Sequence, residues 1–582
     1  MQASLSQSGL RSLLRGAEED ATLEEARENL CGGFDQPRAV NAILAGMLLG
    51  MPHELPLPPD FRSLPGWLLE DYLRFLLEMP PVFHRIGESA AYLSYLEKVT
   101  TLIERAIARE PQSPLADRLA EAFYYGTNFT QAYFNGANLR ELFRRRARII
   151  EAFLERNGCR LDYAFPPDPA RNRKIRAGLL ARHFSVGTET VSILTCFEYL
   201  DRGRFTLTLF SLAVSGCPME QYARGRADGF VALPGGDIMA HVARIRAADL
   251  DVMLSGTNVT ATSTLAVALS AHRLARLQVG LMCSPVSTGF RNVDLMIASR
   301  ADGPEPSSLA AEFNEQLVFL DGPSHCGAYH RVPEPTPAPL QRAQLALPND
   351  AVVFFSGAAY HKIIPELPET WAEILSRVLG SCLVLAPYNQ NWSAAYAVGP
   401  SVARMEKQMA DRGVAPWRLR ILALEQVSKA VMQALISVAD VYLDSHPYSG
   451  AVSMLDPLLA GCPAVAWQGG TFRSGMGAAM LRTLGPEDHI AHSREEYIRI
   501  ATELATTPER RAQVRRRLQA EDACRPFLDT RASSRRWGDA LASLCRERGI
   551  AWLGRAHEGG HSLWRSRLQR GLPNAWWGLP RN

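Results

Sequence analysis

The sequence predicts an α/β protein in which two parallel-sheet units face a cleft, preceded by an all-helical region. Three features carry that expectation. Helical periodicity runs from Ala21 to Asn157, strand and helix alternate from Lys174 and again from Ala351, and proline-rich breaks stand where the pattern changes. A chain of 582 residues is too long for one core, so several domains are expected. The boundaries fall at 1–165 for the helical region, 173–332 and 340–530 for the α/β units, and 531–582 for a peripheral tail rich in Arg and Trp.

In the helical region, Leu139, Leu142, Phe143, Ala147, Ile150 and Phe153 recur at three- and four-residue spacing. Pro56–Pro65 and Pro80-Pro81 separate the helices, and no fixed repeat period is visible. The runs Arg144-Arg145-Arg146 and Arg515-Arg516-Arg517 read as solvated helix faces. Pro166–Asn172, with three prolines, is a linker. Strands are then predicted at Lys174–Leu180, Phe205–Leu212, Leu250–Gly256, Arg276–Leu281 and Val293–Ile297, with a helix at Leu265–Ala275. Pro333–Pro339, with four prolines, is a second linker. After it come strands at Ala351–Ser356, Cys382–Ala386, Leu419–Leu422, Val441–Leu443 and Pro463–Trp467. Helices are predicted at Thr370–Val378, Ser428–Val438 and Ser453–Leu459.

Composition narrows the function. Apolar residues make up 47% and charged residues 21%, ordinary for a globular protein, and the net charge is only +3. That balance argues against a nucleic-acid binder driven by counterion release. Ten cysteines without CxxC pairs suit neither a disulfide framework nor a zinc site. Reduced thiols, no apolar core in Met1–Glu18, and no uncharged apolar run long enough for a membrane span together predict a cytoplasmic protein.

Loops after the predicted strands carry the polar residues. Asp444–Ser453 leaves one strand and opens a helix, where backbone N–H groups favour phosphate. Gly450, Ala451 and Ser453 let a ligand approach the backbone closely. Asp456 either accepts the hydroxyls of a ribose or serves the helix dipole. Lys362, alone among lysines between Lys174 and Lys407, either neutralises a departing diphosphate or is a surface residue; His361 beside it is a weaker candidate. His183 and Glu189, in Arg182–Val191, are possible bases or plain loop residues. Gly256–Thr260, and Asn389 and Asn391 in Pro387–Ser393, add small polar groups at further strand ends. Asp249-Leu250-Asp251 enters a strand rather than leaving one and reads as structural.

Together these segments resemble the glycosyltransferase family of the nucleocytoplasmic protein O-GlcNAc transferases, the plant SPINDLY proteins and the bacterial adhesin N-glycosyltransferases. The resemblance covers roughly Arg173 to Leu484, with gaps. It rests on Leu443-Asp444, Gly450, Leu455-Asp456, Ala460-Gly461-Cys462-Pro463 and Thr471–Leu484. It implies a GT-B fold of two Rossmann-like domains. It also implies Asp456 on the ribose, Lys362 on the diphosphate, and Val427 and Lys429 in a uracil-contacting stretch, Arg420–Lys429. Two departures stand out. The family's His-Thr-Thr triplet reads Ala451-Val452-Ser453 here, and its active-site His is replaced by Gly187 and Thr188. Glu189 or His183 then substitutes as base, or no base is needed. The non-repeat helical region resembles the adhesin-type arrangement.

The resemblance implies an inverting, metal-independent transfer of GlcNAc or Glc from a UDP-sugar to a Ser/Thr or Asn side chain of a polypeptide. No cofactor beyond the donor and no nucleic-acid partner are expected. The rival readings are a GT-B enzyme acting on a glycan, lipid or small molecule, and a degenerate sugar-nucleotide-binding or scaffold protein.

Overall fold

The computed structural model describes residues 15–166, 173–300, 303, 305–323, 325–332, 340–387, 398–422, 427–520 and 523–550. Asn389, Asn391 and most of both proline-rich linkers lie outside the described residues.

The region before the first sheet is helical. Its main elements are Ala17–Cys31, Ala39–Leu49, Leu69–Leu76, Glu88–Arg109, Pro114–Gly126 and Arg140–Arg156. Local chemistry fixes their ends: Pro114 stands at a first helical position, and Ser113 Oγ caps that helix by accepting from Ala116 N at 3.2 Å. The core these helices bury is not closed on itself. It continues into Val259 and Phe290 of the first α/β unit and Ile364 of the second.

The first unit has strands β1 Ile175–Ala181, β2 Phe205–Ser211, β3 Gly229–Ala232, β4 Val252–Ser255, β5 Leu277–Gly280, β6 Leu295–Ser299 and β7 Gln316–Leu320. They form a parallel sheet in the order β3-β2-β1-β4-β5-β6-β7. The second has β8 Val353–Ser356, β9 Cys382–Leu385, β10 Leu419–Ile421, β11 Val441–Leu443, β12 Ala464–Trp467 and β13 Ile490–Ala491, in the order β10-β9-β8-β11-β12-β13, also parallel. Helices cover both faces of each sheet, which is why β8 and β9 read as unbroken buried apolar runs. This is the expected α/β architecture. Asp251 enters β4 and pairs with Arg173 at 2.5 Å and Arg276 at 3.6 Å, a structural role.

Three places differ from the sequence reading. Arg146 is not on a solvated face. It is fully buried, its guanidinium 5.5 Å from the Phe129 ring centre and 5.9 Å from that of Phe143, and it donates to Val259 O at 3.3 Å. Burial lowers its pKa to about 10. Consecutive helix residues point about 100° apart, so one of three arginines turns inward. Secondly, strands β3, β7 and β13 are not among those expected from the sequence. Thirdly, the described part of the stretch expected as a peripheral tail is a packed helix. Thr530–Glu547 returns to the first unit, where Leu541, Ala542 and Cys545 are buried beneath the sheet.

Candidate functional site

Each sheet reverses its strand order once, at β1/β4 and at β8/β11. At such switch points the loops leaving the strands diverge, and the crevice between them is where α/β proteins bind ligands. Both crevices open on a shared cleft of about 910 Å³ between the units, whose walls include Glu189, Lys362, Val427, Lys429, Ser453 and Asp456.

On the second unit, the loop after β8 carries Lys362 and the loop after β11 carries Asp444–Ala451. Lys362 Nζ donates to Ser449 O at 2.8 Å and lies 4.3 Å from the Tyr448 ring centre. Ser449 Oγ in turn donates to Asp444 Oδ2 and accepts from Gly477 N at 2.7 Å. Asp444 Oδ1 accepts from Gly450 N at 2.8 Å. Burial pushes the Lys362 ammonium down to about 8, with Asp444 pulling the other way, and pushes the Asp444 carboxyl up to about 6. A buried, charged lysine facing a cleft is poised for an anion.

Further along the cleft, Lys429 Nζ and Asp456 Oδ1 are 2.6 Å apart, with Lys429 4.2 Å from the Tyr329 ring centre. Asp456 lies on the first turns of helix Val452–Leu459, which begins at the cleft with Ala451, Val452 and Ser453 in its wall. Gly450 serves differently from expectation. Its N–H is engaged by Asp444, and a Cβ there would stand 2.8 Å from Met454 Cγ and Ser453 Oγ. It keeps the loop tight and does not present an N–H to a ligand.

The first unit supplies the opposite wall. Glu189 faces the cleft, but both carboxylate oxygens are occupied: Oε2 accepts from Thr257 Oγ1 at 2.9 Å and Oε1 from Asn258 N at 3.1 Å. It lies in the first turn of helix Thr188–Phe197, which follows β1, and ties that turn to the loop after β4. His183 is half-buried beside Phe184 and is not among the residues lining the cleft. His361 packs against Phe134, and burial holds its pKa down at about 4.

Several participants were not singled out from sequence. Tyr448 and Ser449 contact Lys362, Gly477 donates to Ser449, and Tyr329 flanks Lys429. Arg473 is buried where the three parts of the chain meet. Its Nη2 donates to Asn135 O at 2.9 Å and Ala137 O at 2.8 Å, its Nε donates to Tyr133 O at 3.2 Å, and its Nη1 is 3.9 Å from Glu312 Oε2. The run Thr471–Leu484 drew attention to the segment, but nothing in it marks which residue reaches a region more than 330 positions away.

The segment that carries the second unit's side of the cleft is similar to known proteins. Residues 333–536 match the model of glycosyl transferase family 41, a span that contains Lys362, Lys429 and Asp456. A Petunia hybrida protein, "Probable UDP-N-acetylglucosamine--peptide N-acetylglucosaminyltransferase SPINDLY", is 29% identical over 286 residues, 49% of this chain and 29% of that protein. A Caenorhabditis elegans UDP-N-acetylglucosamine--peptide N-acetylglucosaminyltransferase is 27% identical over 205 residues, 35% of this chain and 17% of that one. The matched region thus spans less than a third of either relative. A solved structure of a mutant of the Thermobaculum terrenum O-GlcNAc transferase has the same fold, with a TM-score of 0.60 and 19% identity over 93% of this chain and 98% of that one. The resemblance seen in the motifs is borne out as a similarity: residues 333–536 match the family 41 model, the chain is similar in sequence to SPINDLY and O-GlcNAc transferase proteins, and its fold is of the GT-B type.

Proposed function

We propose, from that kinship, that this chain is a glycosyltransferase moving GlcNAc or Glc from a UDP-sugar to a polypeptide side chain. The observation that carries the reading is the buried Lys362 held against Ser449 O at the β8/β11 switch point, beside the Lys429–Asp456 pair on the same cleft. A diphosphate fits the first feature and a ribose the second.

The roles follow from placement. Asp456 accepts the ribose hydroxyls, an exchange that loosens its ion pair with Lys429. The backbone near Val427 meets the uracil. The N-terminal N–H groups of helix Val452–Leu459 and the Ser453 hydroxyl receive the phosphates, with Lys362 completing their charge balance. The nucleophile, a Ser/Thr hydroxyl or an Asn amide, attacks the anomeric carbon from the face opposite the diphosphate, so the reaction inverts. The C–O bond to the β-phosphate breaks, the electron pair leaves with UDP, and the nucleophile's proton passes to water or to the leaving diphosphate. Stabilising the leaving group by a fixed cation in a dry site is the main catalytic contribution. Glu189 is engaged by Thr257 and Asn258, so its part is to shape the acceptor wall.

The test is incubation with UDP-GlcNAc and UDP-Glc and co-expressed polypeptides, read by mass shift and UDP release. Wild type is expected to add one hexose or N-acetylhexosamine per site, and K362A and D456A to lose at least about a hundredfold in turnover. Wild-type-like turnover in both variants would sink the assignments. UDP binding with neither hydrolysis nor transfer would favour a binding protein instead.

A further inference from the structure

We propose that Arg473 is a positioning residue: it fastens the loop that holds Lys362 to the helical region, so that residues 133–137 set the pose in which Lys362 meets a diphosphate. The inference rests on the reading of Lys362 just given.

The chain of contacts is short. Arg473 is 1% exposed, and its guanidinium donates to three backbone carbonyls of the helical region, those of Tyr133, Asn135 and Ala137. A planar fork of donors matches such a crescent of carbonyls, and a buried cation is tolerated only with partners of this kind. The backbone of the same residue then acts on the site. Arg473 O accepts from Ser449 N at 2.9 Å, and Ser449 O is the acceptor for Lys362 Nζ at 2.8 Å. One residue therefore separates the helical region's carbonyls from the hydrogen-bond acceptor of the lysine.

The other side of Lys362 leans on the same segment. Its ammonium lies over Tyr448, whose ring is 6.4 Å from that of Tyr133 and 5.6 Å from that of Phe134. Both the acceptor and the π face of Lys362 are thus held by Tyr133–Ala137. The first unit adds Glu312, whose Oε1 accepts from Phe472 N at 2.9 Å. The helical region is then part of the diphosphate site as well as a neighbour of it, although none of its described residues lines the cleft.

The experiment titrates UDP and uridine into the full-length wild type, R473M, R473K, K362M and the R473M/K362M double variant by calorimetry. Uridine lacks the diphosphate that Lys362 meets, so it separates loop positioning from general damage. R473M is expected to lose about tenfold or more in UDP affinity while uridine affinity stays within about twofold. R473K, which keeps a cation but not the fork, falls between. Adding R473M to K362M costs UDP nothing further, because two residues acting through one contact are not additive. If R473M does not fold, R473K is read against the same criteria. Equal losses of UDP and uridine, an unchanged UDP affinity, or additive losses in the double variant overturn the inference. A wild type that binds UDP and loses it in K362M but not in R473M overturns this inference alone. A wild type that binds no UDP overturns the reading of the site and this inference with it.

Discussion

Lys362 carries its working condition in its surroundings. Burial has brought its pKa down to about 8, against the ordinary lysine value near 10. The charged form is the acid form, so the cation needed for a leaving diphosphate is present below about 8 and lost as pH rises through it. The value belongs to the unliganded protein, and kcat/KM reports that state. We therefore expect kcat/KM to fall about tenfold per pH unit above pH ~8. The limb in kcat lies higher, because a bound diphosphate raises the lysine's pKa. An arginine stays charged throughout, so K362R, whatever its absolute rate, is expected to lack the basic limb. A pH–rate profile of both proteins from pH 6 to 10 checks this, and a limb that persists unchanged in K362R would assign it to another group. Asp444 sharpens the point: its charge favours the Lys362 cation, and its own carboxyl, raised to about 6, is still mostly ionised above pH ~7.

Among the elements, helix Phe472–Leu484 shows how closely the site is packed. Gly477 lies mid-helix, where alanine is ordinarily better by about 1 kcal/mol. Here a Cβ would overlap Asp444 Oδ2 and stand 2.7 Å from Ser449 Oγ, and Gly477 N already donates to that oxygen. The propensity gain is smaller than the overpacking cost, so G477A is expected to destabilise by about 2 kcal/mol and to weaken UDP binding. Gly225, exposed at the end of helix Pro218–Gly225 with nothing within 4 Å of its Cβ position, is the control, and G225A should be neutral or stabilising. Thermal melts with and without UDP compare the two; equal behaviour would refute the packing argument. The same helix shows what a sequence can convey. That Lys362 and Asp456 would line the cleft was legible because the segments that carry them follow β8 and β11, and the strand ends of a parallel sheet are where ligands sit. The strands themselves were legible where both faces are buried, as in β8 and β9. Ser449, Gly477 and Arg473 were not legible, since their roles depend on partners across the loop, on another helix, or in another part of the chain. Gly450 was placed in the right loop but given the wrong task, because the side chain of Asp444 takes its N–H. Arg146 was misread for the same reason: its acceptor, Val259 O, is over a hundred residues away.

At the scale of the whole molecule, the question is whether the parts unfold together. The proposed donor residues all lie in the second unit, yet the chain returns to the first through helix Thr530–Glu547. There Leu541 is buried, and Ser534 Oγ donates to Thr195 O at 2.9 Å. The two units also share a core: Met296, Leu309 and Phe313 from one pack with Phe472 and Met476 from the other. Arg473 adds the helical region, whose own core reaches into both units. Such continuous packing argues for one cooperative block, although proteins of several domains often depart from two-state behaviour. Leu541→Ala tests it, since this residue lies in the core of the first unit and does not line the cleft. Truncating a buried leucine costs about 2–5 kcal/mol. If the block is cooperative, L541A melts in a single transition at a lower temperature. UDP, if it binds the folded state as proposed, then raises that whole transition as in wild type. If the units are independent, the melt splits. UDP would then shift only the upper transition, that of the second unit, and leave the weakened first unit where it was. Calorimetric melts of wild type and L541A with and without UDP separate the outcomes. The cooperative result is expected, because the contacts joining the units are buried side chains and because Arg473 makes the diphosphate loop depend on all three parts at once.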